Sequence, residues 1–179
     1  MMNLFRNEKG FSLLELLLVL GIMGAIGGAM TMTTATIVKI TPESNEHIIA
    51  LRQAQNAGYW ITRDAQTAQT VTTDPGTGFL ELTSTVFSGG AYVDVTILYQ
   101  LDTMPDMPAT IKRLMRTSNG VPMMVAEYIY YDPVGNPDAT KVEYDSASKK
   151  LSFWVTAKAG NVALAQKKYE ATQRVPGTP

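Results

Sequence analysis

The stretch KGFSLLELLLVLGIMGAIGGAM, residues 9–30, is almost wholly apolar, and after its first lysine it carries a single charge, Glu15. As a helix, the 22 residues 11–32 would span about 33 Å at roughly 1.5 Å per residue. That length matches the hydrocarbon core of a bilayer, so the stretch predicts a transmembrane helix. Arg6 and Lys9 precede it, which favours a cytoplasmic N-terminus with the rest of the chain on the far side.

A cleaved secretory signal is the alternative interpretation of the same stretch. Such a signal has a shorter apolar core followed by small residues, and GAIGGAM, residues 24–30, supplies small residues. Glu15 separates the two interpretations. A charge inside lipid costs a few kcal/mol and is normally paired or functional, so a simple signal or anchor gains nothing from it.

Residues 9–15, KGFSLLE, resemble the processing site of type IV prepilins and of the pseudopilins of type II secretion. In that family a prepilin peptidase cuts after the glycine and methylates the new N-terminal amine. The resemblance implies cleavage between Gly10 and Phe11, N-methylation of Phe11, and a match of Glu15 to the glutamate of the motif. On assembly, Glu15 of one subunit would meet the Phe11 amine of a neighbour and set the register, because pairing offsets the desolvation of both groups.

The expected organisation is therefore a leader peptide at 1–10, a transmembrane and filament-core helix at 11–38, and a soluble pilin-like domain at 39–179. Pilins commonly have a proline within the apolar segment, whereas here none occurs before Pro42. Two interpretations of the glycines stay open, close helix packing and a helix that can loosen within a filament. The glycines concerned are Gly21, Gly24, Gly27 and Gly28.

A second helical stretch, at about 43–70, follows the apolar one. Either Thr41 caps a new helix with Pro42 at its first position, or one long helix is kinked at Pro42. Apolar and small residues recur at spacings of three and four, which predicts one helical stripe that packs on a sheet. Its members are Ile48, Leu51, Ala54, Gly58, Ile61, Ala65 and Ala68.

The remainder predicts β-strands without intervening helices. Alternating segments such as YVDVTILYQL (92–101) and KLSFWVTA (150–157) are separated by short turns, and Asn119-Gly120 is the strongest hairpin signal. Because consecutive strands have no helix between them, the sheet should be mainly antiparallel. The fold class is thus α+β, with a long N-terminal helix packed on a mainly antiparallel sheet, which is also what the resemblance to pilins implies.

The sequence offers little for catalysis. It has no cysteine and one histidine, His47, which lies among polar residues and suits an exposed structural role. We therefore expect neither enzymatic activity nor a cofactor. Asp132, Asn136 and Asp138 could donate oxygens to calcium, but the loop lacks a full ligand pattern, and its prolines and glycine alone explain a turn.

A net charge of −1 gives no electrostatic case for nucleic acid. Lys112, Arg113 and Arg116 form a small basic cluster. We interpret it as a solvated strand edge, and contact with DNA is the less favoured alternative.

The resemblance implies a bacterial minor pilin-like subunit of a type IV pilus, a competence pilus or a type II secretion pseudopilus. Its partners would be the prepilin peptidase, other pilin or pseudopilin subunits, the membrane assembly platform, and membrane lipid before assembly. It would lie in the cytoplasmic membrane as a single-pass protein and then in an extracytoplasmic filament. A tip adhesin or a DNA-binding pilin is the alternative function, and a membrane-anchored enzyme is disfavoured by the single histidine and the absent cysteines.

Overall fold

The computed structural model describes residues 12–76, 78–132, 134, 136–160 and 163–174. The chain divides into two compact units, Met1–Pro42 and Glu43–Pro179. The described residues form a helix followed by strands, in the order α1 (Leu13–Thr67), β1 (Thr70–Thr73), β2 (Leu80–Ser88), β3 (Ala91–Thr103), β4 (Ile111–Ser118), β5 (Val121–Tyr130), β6 (Lys141–Asp145), β7 (Lys150–Ala159) and β8 (Ala163–Thr172).

The helix assignment is continuous through Pro42, so Thr41 is not the N-cap of a second helix. The helix ends at Thr67, slightly before the predicted end near Thr70. Backbone carbonyls in the last turn of a helix have no partner within it. Here the C-terminal segment supplies donors at this end: the Arg174 amide donates to the Gln66 carbonyl of the last turn, and the Gln173 side-chain amide donates to the carbonyl of Ala68, the residue after the helix, both at 3.1 Å.

The strands form one sheet in the order β1-β2-β3-β4-β5-β7-β6, with β8 also paired to β7. Every pairing is antiparallel, as the strand succession predicts. The predicted hairpin at Asn119-Gly120 is confirmed: Ser118 pairs with Val121, and both turn residues have positive φ, 51° and 76°. A two-residue turn of this type requires that conformation, which asparagine and glycine tolerate best.

The predicted helical stripe packs on the sheet and forms the helix side of the core. Small side chains dominate it, so the helix backbone lies close to the strands. Of the predicted members, Leu51 is half-buried and five are buried: Ala54, Gly58, Ile61, Ala65 and Ala68. The same face also buries Ala50 and Ala57, which the prediction did not include. The prediction was wrong at Ile48, which is 44% exposed. The buried face of the helix begins at Ala50, so the predicted stripe starts before the part of the helix that the sheet covers.

Gly58 marks the closest approach of helix and sheet. A Cβ atom added there would fall within the Tyr169 ring of β8. Two contacts hold the ring in place. It stacks on Phe153 at a centroid distance of 5.2 Å, and its hydroxyl donates to the Ala54 carbonyl at 3.2 Å. Glycine at this position is therefore required by packing.

Strand β5 is irregular where it faces the helix. Its register against β4 shifts twice between Lys112 and Met115. Tyr128 in the same region has a φ of 59°, rare for an aromatic residue. The Glu127 amide, freed by the irregularity, donates to the Gln53 side chain of α1 at 2.9 Å. The helix thus satisfies a backbone donor that the sheet does not.

A buried ion pair joins the helix to the sheet. Asp64 of α1 is 6% exposed and accepts hydrogen bonds from Arg116 Nε at 2.6 Å, from Arg116 Nη2 at 3.2 Å and from the Tyr99 hydroxyl at 2.5 Å. Tyr99 and Arg116 are directly paired across β3 and β4. The Arg116 guanidinium also lies over the Trp60 ring, 5.3 Å from its centroid. Arg116 is therefore no part of a solvated basic edge, which corrects the sequence interpretation of that cluster.

Burial and the neighbouring Asp64 carboxylate raise the pKa of Tyr99 well above its usual range, so its hydroxyl remains a donor. The hydrogen bond to Asp64 raises the pKa of Arg116 in turn. The three side chains thus form a hydrogen-bonded polar contact between the helix and the sheet.

We expect Gly58→Ala to lower the free energy of unfolding by about 1–3 kcal/mol, because the new methyl group overlaps the Tyr169 ring. Helix propensity alone predicts the opposite, a gain of roughly 1 kcal/mol. Thermal unfolding of the detergent-solubilised chain, followed by circular dichroism, measures the difference. Asn56→Ala, at an exposed position of the same helix, is the control. A stabilised Gly58→Ala variant would contradict the close approach.

We expect Asp64→Asn to destabilise the chain by about 3–5 kcal/mol, because it leaves the Arg116 charge buried without a countercharge. The double variant Asp64→Leu/Arg116→Met removes both charges and should lose less than the single variant. Chemical denaturation of the same preparation compares the three proteins. Equal losses in the single and double variants would mean that packing, and not the unpaired charge, sets the cost.

Candidate assembly helix

Helix α1 begins with a side-chain cap. Ser12 lies just before the first helical residue, and its hydroxyl oxygen accepts a hydrogen bond from the Leu14 amide at 3.3 Å. Its carbonyl accepts from the amides of Glu15 and Leu16, at 2.9 and 3.1 Å. Ser12 is therefore an N-cap residue, which satisfies donors that the first turn leaves free.

Glu15 is the acid of the first turn and is exposed. Ser12 and Glu15 have the spacing of a capping box, in which the acid reaches back to the amide of the cap residue, and a negative charge there also suits the helix dipole. Glu15 thus has a role available within a single chain. Within the described ranges no ion pair involves Glu15. The predicted cleavage and methylation residues, Gly10 and Phe11, lie outside the described residues.

The first part of α1 exposes its apolar side chains on all sides. Leu13 and Met32, near the two ends of this part, are 81% and 77% exposed. By length and composition this helix could cross a membrane. An apolar surface of this extent needs lipid or other helices as its surroundings. The exposed side chains are Leu13, Leu14, Leu16, Leu17, Leu18, Val19, Leu20, Ile22, Met23, Ile26, Met30, Met32, Ile37 and Val38.

The four glycines of this part have open space where a side chain would stand. A Cβ atom at Gly21, Gly24, Gly27 or Gly28 would meet no described atom within 4 Å. Contacts within the described chain therefore do not require glycine there, in contrast to Gly58. Both interpretations of these glycines, packing against other helices and a loosened backbone, remain compatible with this geometry.

The threonines that follow direct their hydroxyl groups back to the helix. Thr31, Thr33, Thr34 and Thr36 each donate to the carbonyl four residues earlier, at 2.8–3.0 Å. Bonds of this kind satisfy polar side chains in an apolar medium, and they also tend to bend a helix. This part of α1 can therefore carry hydroxyl groups without needing a polar partner from outside.

The loop considered for calcium uses its oxygens in its own turns. Asp132 accepts from the Val134 amide at 3.0 Å, and Asn136 accepts from the Asp138 amide at 2.9 Å. The Asn136 side chain also donates to the Tyr130 hydroxyl at 3.1 Å. Among the described residues no group of three or more histidine, cysteine or carboxylate side chains could hold a metal.

A lysine–tryptophan arrangement lies on strands β6, β7 and β8, and the sequence interpretation did not identify it. Lys141 and Lys168 are the cross-strand neighbours of Trp154, and their ammonium groups lie 4.3 and 5.1 Å from its ring centroid. Glu143 pairs with Lys141 at 3.1 Å, and Glu170 pairs with Lys168 at 2.8 Å. Hydrogen bonds from Lys150, the neighbouring lysine of β7, and from Lys168 lower the pKa of Glu170 to about 2. Each lysine of this arrangement therefore has an acid partner, and Lys168 shares Glu170 with Lys150.

A family model described as the prokaryotic N-terminal methylation motif matches residues 5–31. No curated protein and no solved structure matches the chain. The matched segment contains Gly10, Phe11 and Glu15, together with most of the exposed apolar surface of α1. The motif implies processing by a prepilin peptidase and assembly with other pilins, and together with the apolar helix it indicates anchoring in a membrane.

Proteins that carry this motif serve structural roles. The motif spans a small part of the chain, and the long helix on an antiparallel sheet accompanies it. The match confirms the resemblance: the chain carries the N-terminal methylation motif that is typical of type IV pilin-like and pseudopilin-like proteins.

Proposed function

We propose that this protein is a minor pilin-like structural subunit of a bacterial type IV pilus, competence pilus or type II secretion pseudopilus. The methylation motif at residues 5–31, continuous with an exposed apolar helix, is the observation that supports this function. The leader at 1–10 is removed, residues 11–38 form the membrane and filament-core helix, and residues 39–179 carry the extracytoplasmic domain. The subunit itself performs no catalysis, since the prepilin peptidase and the assembly platform supply the chemistry.

The membrane holds the subunit before assembly. Cleavage after Gly10 on the cytoplasmic face leaves the apolar helix intact and creates a positive amine at Phe11. The same apolar side chains that contact lipid then contact neighbouring helices in the filament. Because helices associate in lipid by close packing and polar contacts, the glycines and Glu15 are the natural contributors to that step.

Glu15 has two roles in this proposal. In the single chain its spacing from Ser12 suits a capping box, which stabilises the start of the helix. In the filament its charge pairs with the Phe11 amine of a neighbour, so that both groups are buried together. The first role needs only a hydrogen-bond acceptor, whereas the second needs a negative charge, so substitutions can separate them.

The alternative of a DNA-binding or adhesive tip subunit needs a coherent basic or aromatic surface. Trp154 with Lys141 and Lys168 is one feature that combines both characters. Its lysines are already paired with Glu143 and Glu170, the latter shared with Lys150, and Arg116 is paired with Asp64 of α1. We therefore favour the structural role over nucleic-acid binding, which stays without support.

We expect the mature protein to begin at Phe11 with a methylated amine. Intact-mass measurement of protein extracted from the membranes of a host with a prepilin peptidase tests this. A host without the peptidase should yield the unprocessed chain, since Gly10 marks the cleavage site. A mature N-terminus beyond residue 25 would indicate a conventional secretory signal and would contradict the proposed function.

We expect Glu15→Gln and Glu15→Leu to be cleaved and to remain in the membrane, yet to be lost from filaments. Either change leaves the neighbour's Phe11 amine buried without a countercharge, at a cost of roughly 3–5 kcal/mol. The measurement is the share of subunit that co-sediments with sheared filaments, relative to total membrane protein. Glu43→Gln, on an exposed position of the same helix, is the control.

The glutamine variant distinguishes the two roles, because it retains a capping-box side chain without the charge. If Glu15→Gln is incorporated like the wild type and only Glu15→Leu fails, helix capping and not register charge explains the residue. If both are incorporated normally, the assembly role of Glu15 is wrong.

A further inference from the structure

The hairpin of β2 and β3 carries an exposed aromatic pair at its tip. Phe87 and Tyr92 are direct cross-strand neighbours, 66% and 73% exposed, and their rings contact edge to face at a centroid distance of 5.2 Å. Gly89 and Gly90 form the turn with φ values of 62° and 88°. Two large aromatic rings at a tight turn with no cover within the described chain indicate a contact surface.

This tip also has a strand edge without a strand partner, and it carries one acid, Asp94. Only residues 80–83 of β2 pair with β1, so residues 84–88 have β3 as their single strand partner within the described part of the chain. Asp94 lies on the same face as Tyr92 by strand alternation and accepts from the Thr85 hydroxyl at 2.7 Å. From Ser84 to Asp94 the sequence contains no basic residue.

A groove with the complementary character lies between α1 and β8. It has a volume of about 530 Å³, which falls within the usual range of binding pockets, roughly 300–1,000 Å³. Its floor is Gly58 and the Tyr169 ring, its wall includes the exposed Tyr59 ring, and Arg63 and Lys167 flank it. None of the described lining residues is a carboxylate. Strand β8 pairs only with β7 among the described strands, so its other edge is open beside this groove.

We propose that the β2–β3 hairpin tip of one copy of this chain docks in the α1–β8 groove of a second copy. The aromatic pair would cover the apolar floor, and Asp94 would face Arg63 and Lys167. The two surfaces are different, so the contact is head-to-tail and leaves a free hairpin at one end of the assembly and a free groove at the other. Such a contact can repeat as copies are added, which a symmetric pairing cannot do.

This inference rests on the proposed function, because the N-terminal helices bring the copies together. Once the helices associate, the docking of the second pair of surfaces is effectively intramolecular. A weak contact between the globular units then becomes sufficient to set the order of neighbouring subunits.

The absence of cysteine from the sequence allows a direct test with introduced thiols. Full-length Tyr92→Cys and Thr62→Cys chains, differently tagged, are co-expressed in membranes and treated with a short bis-maleimide. We expect a cross-linked dimer that contains both tags. Tyr92→Cys paired with Lys158→Cys, which places the second thiol on another strand surface, is the matched control and should give several-fold less product.

Charge reversal tests the complementarity. Asp94→Lys or Lys167→Glu alone should lower the yield of the Tyr92–Thr62 product several-fold, and the two together, one in each partner, should restore it. A product formed mainly between two Tyr92→Cys chains would overturn the inference in favour of a symmetric hairpin contact. Unchanged yields in the charge-reversed variants would overturn it as well.

A Leu17→Cys chain reports helix association independently, since Leu17 is 67% exposed on the apolar part of α1. If Leu17 thiols cross-link and the hairpin–groove pair does not, the docking inference fails and the proposed function stands. If neither pair cross-links, the helix contact fails first, and the proposed function is contradicted together with the inference.

Discussion

The close approach of helix α1 to the sheet is the constraint on which the globular unit depends. Alanine and glycine occupy most of the buried stripe, so the strands meet the helix backbone more than its side chains. Strand β8 can therefore place the Tyr169 ring over Gly58 and donate its hydroxyl to the Ala54 carbonyl. A bulkier stripe would separate the layers and remove that contact, because interiors pack at crystal-like density and tolerate little added volume.

Polar contacts then fix which arrangement of helix and sheet is used. A stripe of small apolar residues resembles itself after a shift by one turn, so it specifies the register weakly. Asp64 removes that ambiguity, since only one register brings it to Tyr99 and Arg116 together. Two further polar contacts act in the same way. Gln53 of α1 accepts from the Glu127 amide of the irregular strand β5, and Gln173 donates to the Ala68 carbonyl just beyond the end of α1. Buried polar groups of this type contribute specificity more surely than net stability.

The parts of this fold that the sequence predicts are those set by local pattern. The stripe, the antiparallel strands, the Asn119-Gly120 turn and the methylation motif each depend on residues that are close together in the sequence.

The interpretation of Arg116 as a surface charge was wrong because its partner lies 52 residues away. An acid at Asp64, on the buried face of the stripe, was the available signal. Strand β1, TVTT, was missed because it is short and polar, and pairing with β2 creates it. The groove between α1 and β8 depends on long-range packing of the same kind.

The two parts of α1 meet opposite requirements with different residues. Between Ala50 and Ala68 the apolar atoms are covered by the sheet, whereas between Leu13 and Val38 they are exposed throughout the described chain. When neighbouring helices replace lipid around the side chains between Leu13 and Val38, the apolar area kept from water changes little, because lipid tails are about as apolar as leucine. Apolar contact alone therefore gives that exchange neither direction nor register. Polar groups must supply both, and Glu15 is the only charged side chain available along this apolar stretch.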